Sequence, residues 1–205
     1  MNVNYVKNLL SLISNIMSEN REKLIELDSV VGDGDLGLTM SDGFKAAYEV
    51  SVNSDETDIG KLLYNAGKAM STAVPSTMGT LMASGLMNSG KKLKGKTELI
   101  YQDIVDLFDS FEEGVANRGK AKINEKTFLD GLHPAVLSLK ESTDKPLYEA
   151  AKNAYNASKQ GYEDTSTMLA VHGRAATRGE ASRTLKDPGA YVATLIMEAF
   201  VKSVI

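Results

Sequence analysis

The chain has 205 residues, 42% hydrophobic and 24% charged, and its 23 Lys and Arg against 27 Asp and Glu give a net charge of -4. That length supports one large domain or two small ones around a real core, and the acidic balance argues against a nucleic-acid partner. The absence of cysteine excludes disulfides, thiolate catalysis and thiolate zinc sites.

The N-terminal stretch "MNVNYVKNLLSLISNIMSENREK" is broken by Asn, Lys and Ser and offers no signal-type apolar block. No segment approaches the roughly 18 to 20 apolar residues of a membrane span. A cytoplasmic protein that does not engage a membrane is the expectation.

In chain order the apolar pattern is helical. Val6, Leu9, Leu10, Ile13, Ile16 and Met17 share one stripe. Thr57 or Asp58 can cap a helix carrying Ile59, Leu62, Leu63, Ala66 and Met70. "PSTMGTLMASGLMNSG", residues 75–90, gathers small side chains, which permit close helix packing or the approach of an anion to a helix start. The cationic "GKKLKGK" at 90–96 reads as a solvated loop. Ile100, Ile104, Leu107, Phe108, Phe111 and Val115 predict another helix, stopped by Gly119. "LDGLHP" at 129–134 contains Asp-Gly, but Pro134 and its helical surroundings argue against a hairpin. Pro146 suits the first turn of a further helix, and Asp187-Pro188 pairs an N-cap with proline at the first helical position. With no strand alternation, linker or repeat, one all-α domain of about eight helices spanning residues 1–205 is expected.

The chemistry concentrates in "VVGDGDLGLTM", residues 30–40, with Asp28 just upstream. Positions two apart in an extended loop face the same side, so Asp33 and Asp35 can converge, and the surrounding glycines permit the turns that bring Asp28 alongside. Two carboxylates about 4 Å apart repel by roughly 4 kcal/mol at an effective dielectric of 20, so convergence requires protons or a cation. Oxygen-only ligands select Mg²⁺ or Ca²⁺. An EF-hand is excluded because the glycine and glutamate positions counted from Asp33 hold Leu38 and Phe44. Magnesium on few carboxylates completes its shell with water and substrate phosphates, which suggests a phosphate-handling site. Gly-Asp-Gly-Asp is also ordinary turn chemistry, and that reading stays open on these residues alone. Neither a P-loop nor a kinase motif set is present.

Three blocks resemble the L subunit of dihydroxyacetone kinase. "LDSVVGDGDLGLTMSDGF" is similar to the family's D-x-x-x-G-D-x-D-H-G-x-N-M-x-x-G-F, "NRGKAKINEKTFLD" to R-G-K-A-x-x-G-D-K-T-M-x-D, and "HGRAATRGEASRTLKDPGA" to G-R-A-S-Y-x-G-E-R-S-x-G-x-x-D-P-G-A. The resemblance implies a barrel of eight antiparallel amphipathic helices with a nucleotide-magnesium site at one end. It implies two Mg²⁺ ions held by Asp28, Asp33 and Asp35 and bound to the phosphates of ADP or ATP. Leu36, Gly37, Leu38 and Thr39 stand at phosphate-contacting positions, Ser76 or Thr77 beside the β-phosphate, and Gly119 and Phe128 at the adenine. Arg174 and the Asp187-Pro188-Gly189 turn stand where the nucleotide is covered. The chain departs from the pattern at Leu36 (His), Thr39 (Asn), Phe128 (Met), Thr177 (Tyr) and Ala181 (Arg), and its "VPSTMG" is shorter than the family's G-G-x-S-G loop.

The function so implied is a phosphotransferase component that passes a phosphoryl group to a small hydroxyketone such as dihydroxyacetone. In the family that substrate is held on a histidine of a separate K subunit, a role that neither His133 nor His172 matches. The nucleotide is either a bound ADP recharged by a phosphotransferase-system M subunit or an exchanging ATP. A paralogous regulatory or adaptor subunit is the alternative, motivated by the altered 74–79 loop.

Overall fold

The computed structural model describes residues 1–205. Nine α-helices occur in the order α1 (Val3–Glu19), α2 (Arg21–Val31), α3 (Leu36–Val52), α4 (Ile59–Ala73), α5 (Thr77–Lys92), α6 (Tyr101–Gly119), α7 (Phe128–Glu141), α8 (Leu147–Asp164) and α9 (Pro188–Ser203). The only β pairing is an isolated bridge between Asn2 and Glu98. No helix is long and apolar enough to cross a membrane.

The ends follow local chemistry. Asp58 rather than Thr57 caps α4, its carboxylate accepting the Lys61 N–H at 3.1 Å. Asp187 caps α9 by accepting the Ala190 N–H at 2.7 Å, with Pro188 in the first turn where its missing N–H is harmless. Helix α6 runs through Gly119, and the left-handed residue that turns the chain away is Lys120. Pro134 lies inside α7, as expected for a helical "LDGLHP".

Eight helices form an antiparallel barrel, and α2 is the addition that the eightfold expectation does not include. The order around the ring is legible from side-chain bonds. Asn88 Nδ2 donates to the Ser110 carbonyl between α5 and α6, and Tyr101 Oη donates to the Leu139 carbonyl between α6 and α7. Helices α1 and α9 close the ring. Tyr5 Oη and Ser203 Oγ are 3.1 Å apart at one end, and Tyr191 Oη donates to Asn20 Oδ1 at 3.1 Å at the other. The apolar stripes meet inside, where Met17, Met40, Phe44, Leu62, Met70, Met82, Ile104 and Phe200 are fully buried. The first helix's six stripe residues are all in this core.

Antiparallel alternation has an electrostatic consequence. Helices α3, α5, α7 and α9 all begin at the same end, after the connections 32–35, 74–76, 120–127 and 165–187. Each start carries main-chain N–H groups without an intrahelical acceptor and the positive end of a helix dipole. The residues proposed from sequence for metal or nucleotide lie at three of these starts (α3, α5 and α9), at the first residue of α7, or, for Asp28, Gly119 and Arg174, in the elements and connections that lead to them.

Candidate metal centre and nucleotide site

Asp28 sits in the last turn of α2, and Asp33 and Asp35 in the loop that leads into α3. One carboxylate oxygen from each lies within 4.8 Å of the others. Asp28 is partly buried and the other two are exposed. Gly34 takes φ +76, a left-handed conformation open to glycine, and this turns the loop so that both aspartates come back to Asp28. The Leu36 N–H donates to Asp28 Oδ2 at 3.3 Å, fixing the carboxylate against the start of α3. Burial, followed by the neighbouring charges of Asp33 and Asp35, pushes the Asp28 carboxyl above its ordinary range, and the Leu36 N–H opposes that rise. Three convergent carboxylate oxygens, two of them from exposed residues, are a donor set that fits a hard divalent ion.

Arg174 reaches this cup, with Nη2 2.6 Å from Asp33 Oδ2. It comes from the long connection between α8 and α9, which contains two 3-10 stretches, Thr165–Thr167 and Arg174–Ser182. Thr177 Oγ1 donates to the Arg174 carbonyl at 2.7 Å and braces that turn.

At the start of α3, Leu36, Gly37 and Thr39 are buried and Leu38 is exposed. A Cβ on Gly37 would stand 2.2 Å from the Arg21 carbonyl, so this glycine lets α2 and α3 touch main chain to main chain. Its N–H and that of Leu38 are first-turn donors of the kind that bind anions. Ser76 is the N-cap of α5, its Oγ accepting the Gly79 N–H at 3.0 Å, and Thr77 beside it is exposed. Gly119 ends α6 and is half-buried. Phe128 is only 2% exposed and packs on Phe111 with ring centroids 6.0 Å apart, so its ring belongs to the core. Pro188 and Gly189 are buried at the start of α9, where a Cβ on Gly189 would stand 3.2 Å from the Phe128 nitrogen. The α7 and α9 starts therefore abut. Burial raises the Asp187 carboxyl to about 7, against the pull of the Ala190 N–H and the Lys126 charge.

Both histidines are engaged elsewhere. His133 Nδ1 is 2.7 Å from Glu112 Oε1 between α6 and α7, and His172 Nε2 is 2.6 Å from Glu125 Oε2.

Sequence reasoning did not single out Lys126. It is 3% exposed, and its ammonium donates to the carbonyls of Thr165 at 2.7 Å and Ser182 at 2.6 Å, and also to Leu185. Asn124, two residues earlier, takes φ +70 where the resembled block has glycine, which gives that glycine a conformational reason.

The family model for the DAK2 domain matches residues 30–202. The chain belongs to the DAK2-domain family. This DAK2 chain is 31% identical over 195 residues to the ADP-binding subunit DhaL of the PEP-dependent dihydroxyacetone kinase of Escherichia coli (strain K12), covering 94% of this chain and 93% of that protein. It is 30% identical to the ADP-binding subunit DhaL of the PEP-dependent dihydroxyacetone kinase 2 of Listeria innocua, over 92% of this chain and 88% of that one. Its fold is similar to that of the dihydroxyacetone kinase of C. freundii, with a TM-score of 0.75, 22% identity and 97% of this chain covered. This chain spans 34% of that enzyme's length. The same fold likeness, at 22% identity, holds for that kinase in complex with AMP-PNP and Mg²⁺.

Proposed function

We propose that this DAK2 protein is the nucleotide-binding subunit of a multi-component dihydroxyacetone kinase, with residues 1–205 acting as one unit. The observation that carries the reading is the convergence of Asp28, Asp33 and Asp35 beside the free N–H groups that open α3. Asp28, Asp33 and Asp35 would hold magnesium, two ions being the count the family resemblance implies. Bound magnesium supplies neutralisation of phosphate charge.

The chain's own groups would do the rest. The Gly37 and Leu38 N–H groups, with the Ser76–Thr77 start of α5, orient phosphate oxygens toward the cup. Arg174 exchanges Asp33 for a phosphate oxygen and steadies charge on the transferring group. The first residues of α7 and α9, with Gly119, border the base, and the contact at Phe128 is made by its main chain because its ring faces the core. Neither His133 nor His172 stands where the family resemblance would put a substrate-holding histidine, and each has one ring nitrogen paired with a carboxylate of this chain. The acceptor would then sit on a K-type subunit, and ADP would be recharged in place by an M-type phosphotransferase-system subunit, as the family resemblance implies; that the DhaL relatives are ADP-binding subunits of PEP-dependent kinases supports a bound ADP.

Calorimetry of the chain with ADP, in Mg²⁺ and in chelator, tests this. Binding is expected only with Mg²⁺, and Asp33→Asn should weaken it strongly while leaving the helical signal intact. Equal ADP affinity in chelator, or an unaffected Asp33→Asn variant, would remove the metal-nucleotide reading.

A further inference from the structure

The connection from α8 to α9 runs from Thr165 to Asp187 without an α-helix. Loops of that length inside a compact fold are commonly functional. Its outer part holds to the body through exposed contacts: Arg174 with Asp33, His172 with Glu125, and the Val171 N–H on the Glu125 carbonyl at 3.3 Å. Its two feet are held differently. Lys126 Nζ donates to Thr165 at 2.7 Å and reaches Met168 at 3.3 Å on the entering strand of the loop, and donates to Ser182 at 2.6 Å and to Leu185 on the leaving strand. One ammonium thus ties together residues up to twenty positions apart, and every acceptor is a main-chain carbonyl.

Burying an ammonium is expensive unless its hydrogens are all satisfied. Carbonyls in a loop could take water instead, so the barrel alone does not require this lysine. Its setting is also strained. Lys126 has φ +60, and Asn124 and Lys120 have φ +70 and +54, three left-handed non-glycine residues in one short connection. That conformation is imposed from α7. The buried Asp130 accepts the Asn124 N–H at 2.5 Å and the Thr127 N–H at 2.7 Å, one on each oxygen, and so aims the intervening Lys126 inward.

We propose that Lys126 is a positioning residue, a latch that clamps the feet of the 165–187 segment so that Arg174 is delivered to the cup. This rests on the nucleotide reading above and adds a residue that acts through Arg174 without touching nucleotide or metal. The order of action is Asp130, the 124–127 turn, the Lys126 ammonium, the two feet, and Arg174 at the tip.

The chain has no cysteine, so Lys126→Cys provides a unique thiol. Alkylated in denaturant and refolded, it yields either a primary ammonium of nearly lysine length, from 2-bromoethylamine, or a neutral amide, from iodoacetamide. Trypsin cleavage after Arg174, Arg178 and Arg183 reads the segment without any nucleotide, and Mg-ADP calorimetry reads the site. The neutral form should be cut at these arginines at least about tenfold faster than the wild type, the loss expected of one charge-assisted hydrogen bond. Its Mg-ADP affinity should fall by a similar factor, and the aminoethyl form should recover both. In a double-mutant cycle, Arg174→Gln should cost the neutral form no further affinity, because the two act as a unit.

Equal cleavage of the charged and neutral forms would overturn the latch, and so would full additivity with Arg174→Gln. If Lys126→Cys does not refold, Lys126→Gln keeps two donors without charge, and wild-type cleavage of its segment would equally overturn the proposal. A wild-type chain that ignores Mg-ADP but shows the cleavage difference would sink the nucleotide reading and leave the clamp standing.

Discussion

Arg174 Nη2 and Asp33 Oδ2 are 2.6 Å apart, which places a guanidinium on an oxygen that a metal ion would also claim. Both side chains are substantially exposed, so the pair itself is worth little, roughly 0.2–1 kcal/mol. An arginine held that weakly can leave Asp33 once a phosphate arrives, and a bidentate fork suits phosphate better than one carboxylate oxygen. Arg174→Gln should therefore have opposite effects on two titrations. Mg²⁺ alone should bind up to about fivefold tighter, because Asp33 is freed. Mg-ADP should bind on the order of ten- to a hundredfold weaker, because a charge-assisted phosphate contact is lost. Loss of both affinities together would mean that the arginine supports the cup's shape instead of the ligand.

Asp187 gives a pH dependence with a defined sign. Burial lifts its carboxyl to about 7 in the folded chain from an ordinary value of 3.8. Between those values the folded state holds a proton that the unfolded state has released, so stability falls as pH rises through this range. The contribution is complete below about 4 and gone above about 7, with a ceiling of about 4 kcal/mol from linkage. Asn at this position keeps the N-cap acceptor and cannot ionise. Denaturant midpoints at pH 5 and pH 8 should converge for Asp187→Asn relative to the wild type. An unchanged pH slope would show that the Lys126 charge and the Ala190 N–H hold Asp187 ionised throughout.

Phe128 separates a core role from a ligand role. Its ring is 2% exposed and packs on Phe111, so truncation to Ala should destabilise the fold by about 3–5 kcal/mol. Phe128→Met, the residue in the resembled family, preserves volume and should cost less than about 1.5 kcal/mol. Chemical denaturation measures both. If Phe128→Ala folds with wild-type stability and loses only Mg-ADP affinity, the ring is a ligand contact.

The barrel was legible because each helix pays for its own position with an apolar stripe at helical spacing, as Val6 through Met17 illustrate. The cup was legible because the family blocks fixed the register of three aspartates that on their own also read as ordinary turn chemistry. Helix α2 was missed because "REKLIELDSVV" is mostly polar, with only Leu24 and Val31 buried. The 165–187 segment was legible only through its family block and its Asp187-Pro188 end, and its course between them was not. Its "VHGRAATRGEASRTLK" has no period, and its order comes from Lys126 across 39 to 59 residues of chain. One lysine among 23 cationic residues carries no local mark of burial. The available signal was its place in the second family-like block, where Asn124 and Lys126 itself take left-handed conformations in the folded chain. Phe128 was placed at the adenine by register, whereas its side-chain direction follows from the packing of α6 against α7.

The cup end also carries the surface a partner would need. Val30 is 46% exposed, Leu38 40% and Val171 52%, one each from α2, α3 and the 165–187 segment, all at the end that bears the three aspartates. Isolated exposed apolar residues are ordinary, but these ring the place from which a phosphoryl group would have to leave. The proposed acceptor subunit must approach here, because a group in transfer cannot cross open water between two separated sites. Alone, with Mg-ATP and dihydroxyacetone, the chain should form no detectable sugar phosphate. A cognate K-type subunit, supplied with ATP or with a phosphorylated M-type subunit, should restore transfer. Val171→Asp should then cut transfer by at least about tenfold, the effect of one desolvated interface position worth over ~1.4 kcal/mol, while Mg-ADP affinity stays as it was. Helical content and melting should not change, since Val171 is exposed and outside the core. Substantial phosphorylation by the isolated chain would overturn the subunit assignment, and undiminished transfer by Val171→Asp together with Leu38→Asp would move the docking face away from the cup.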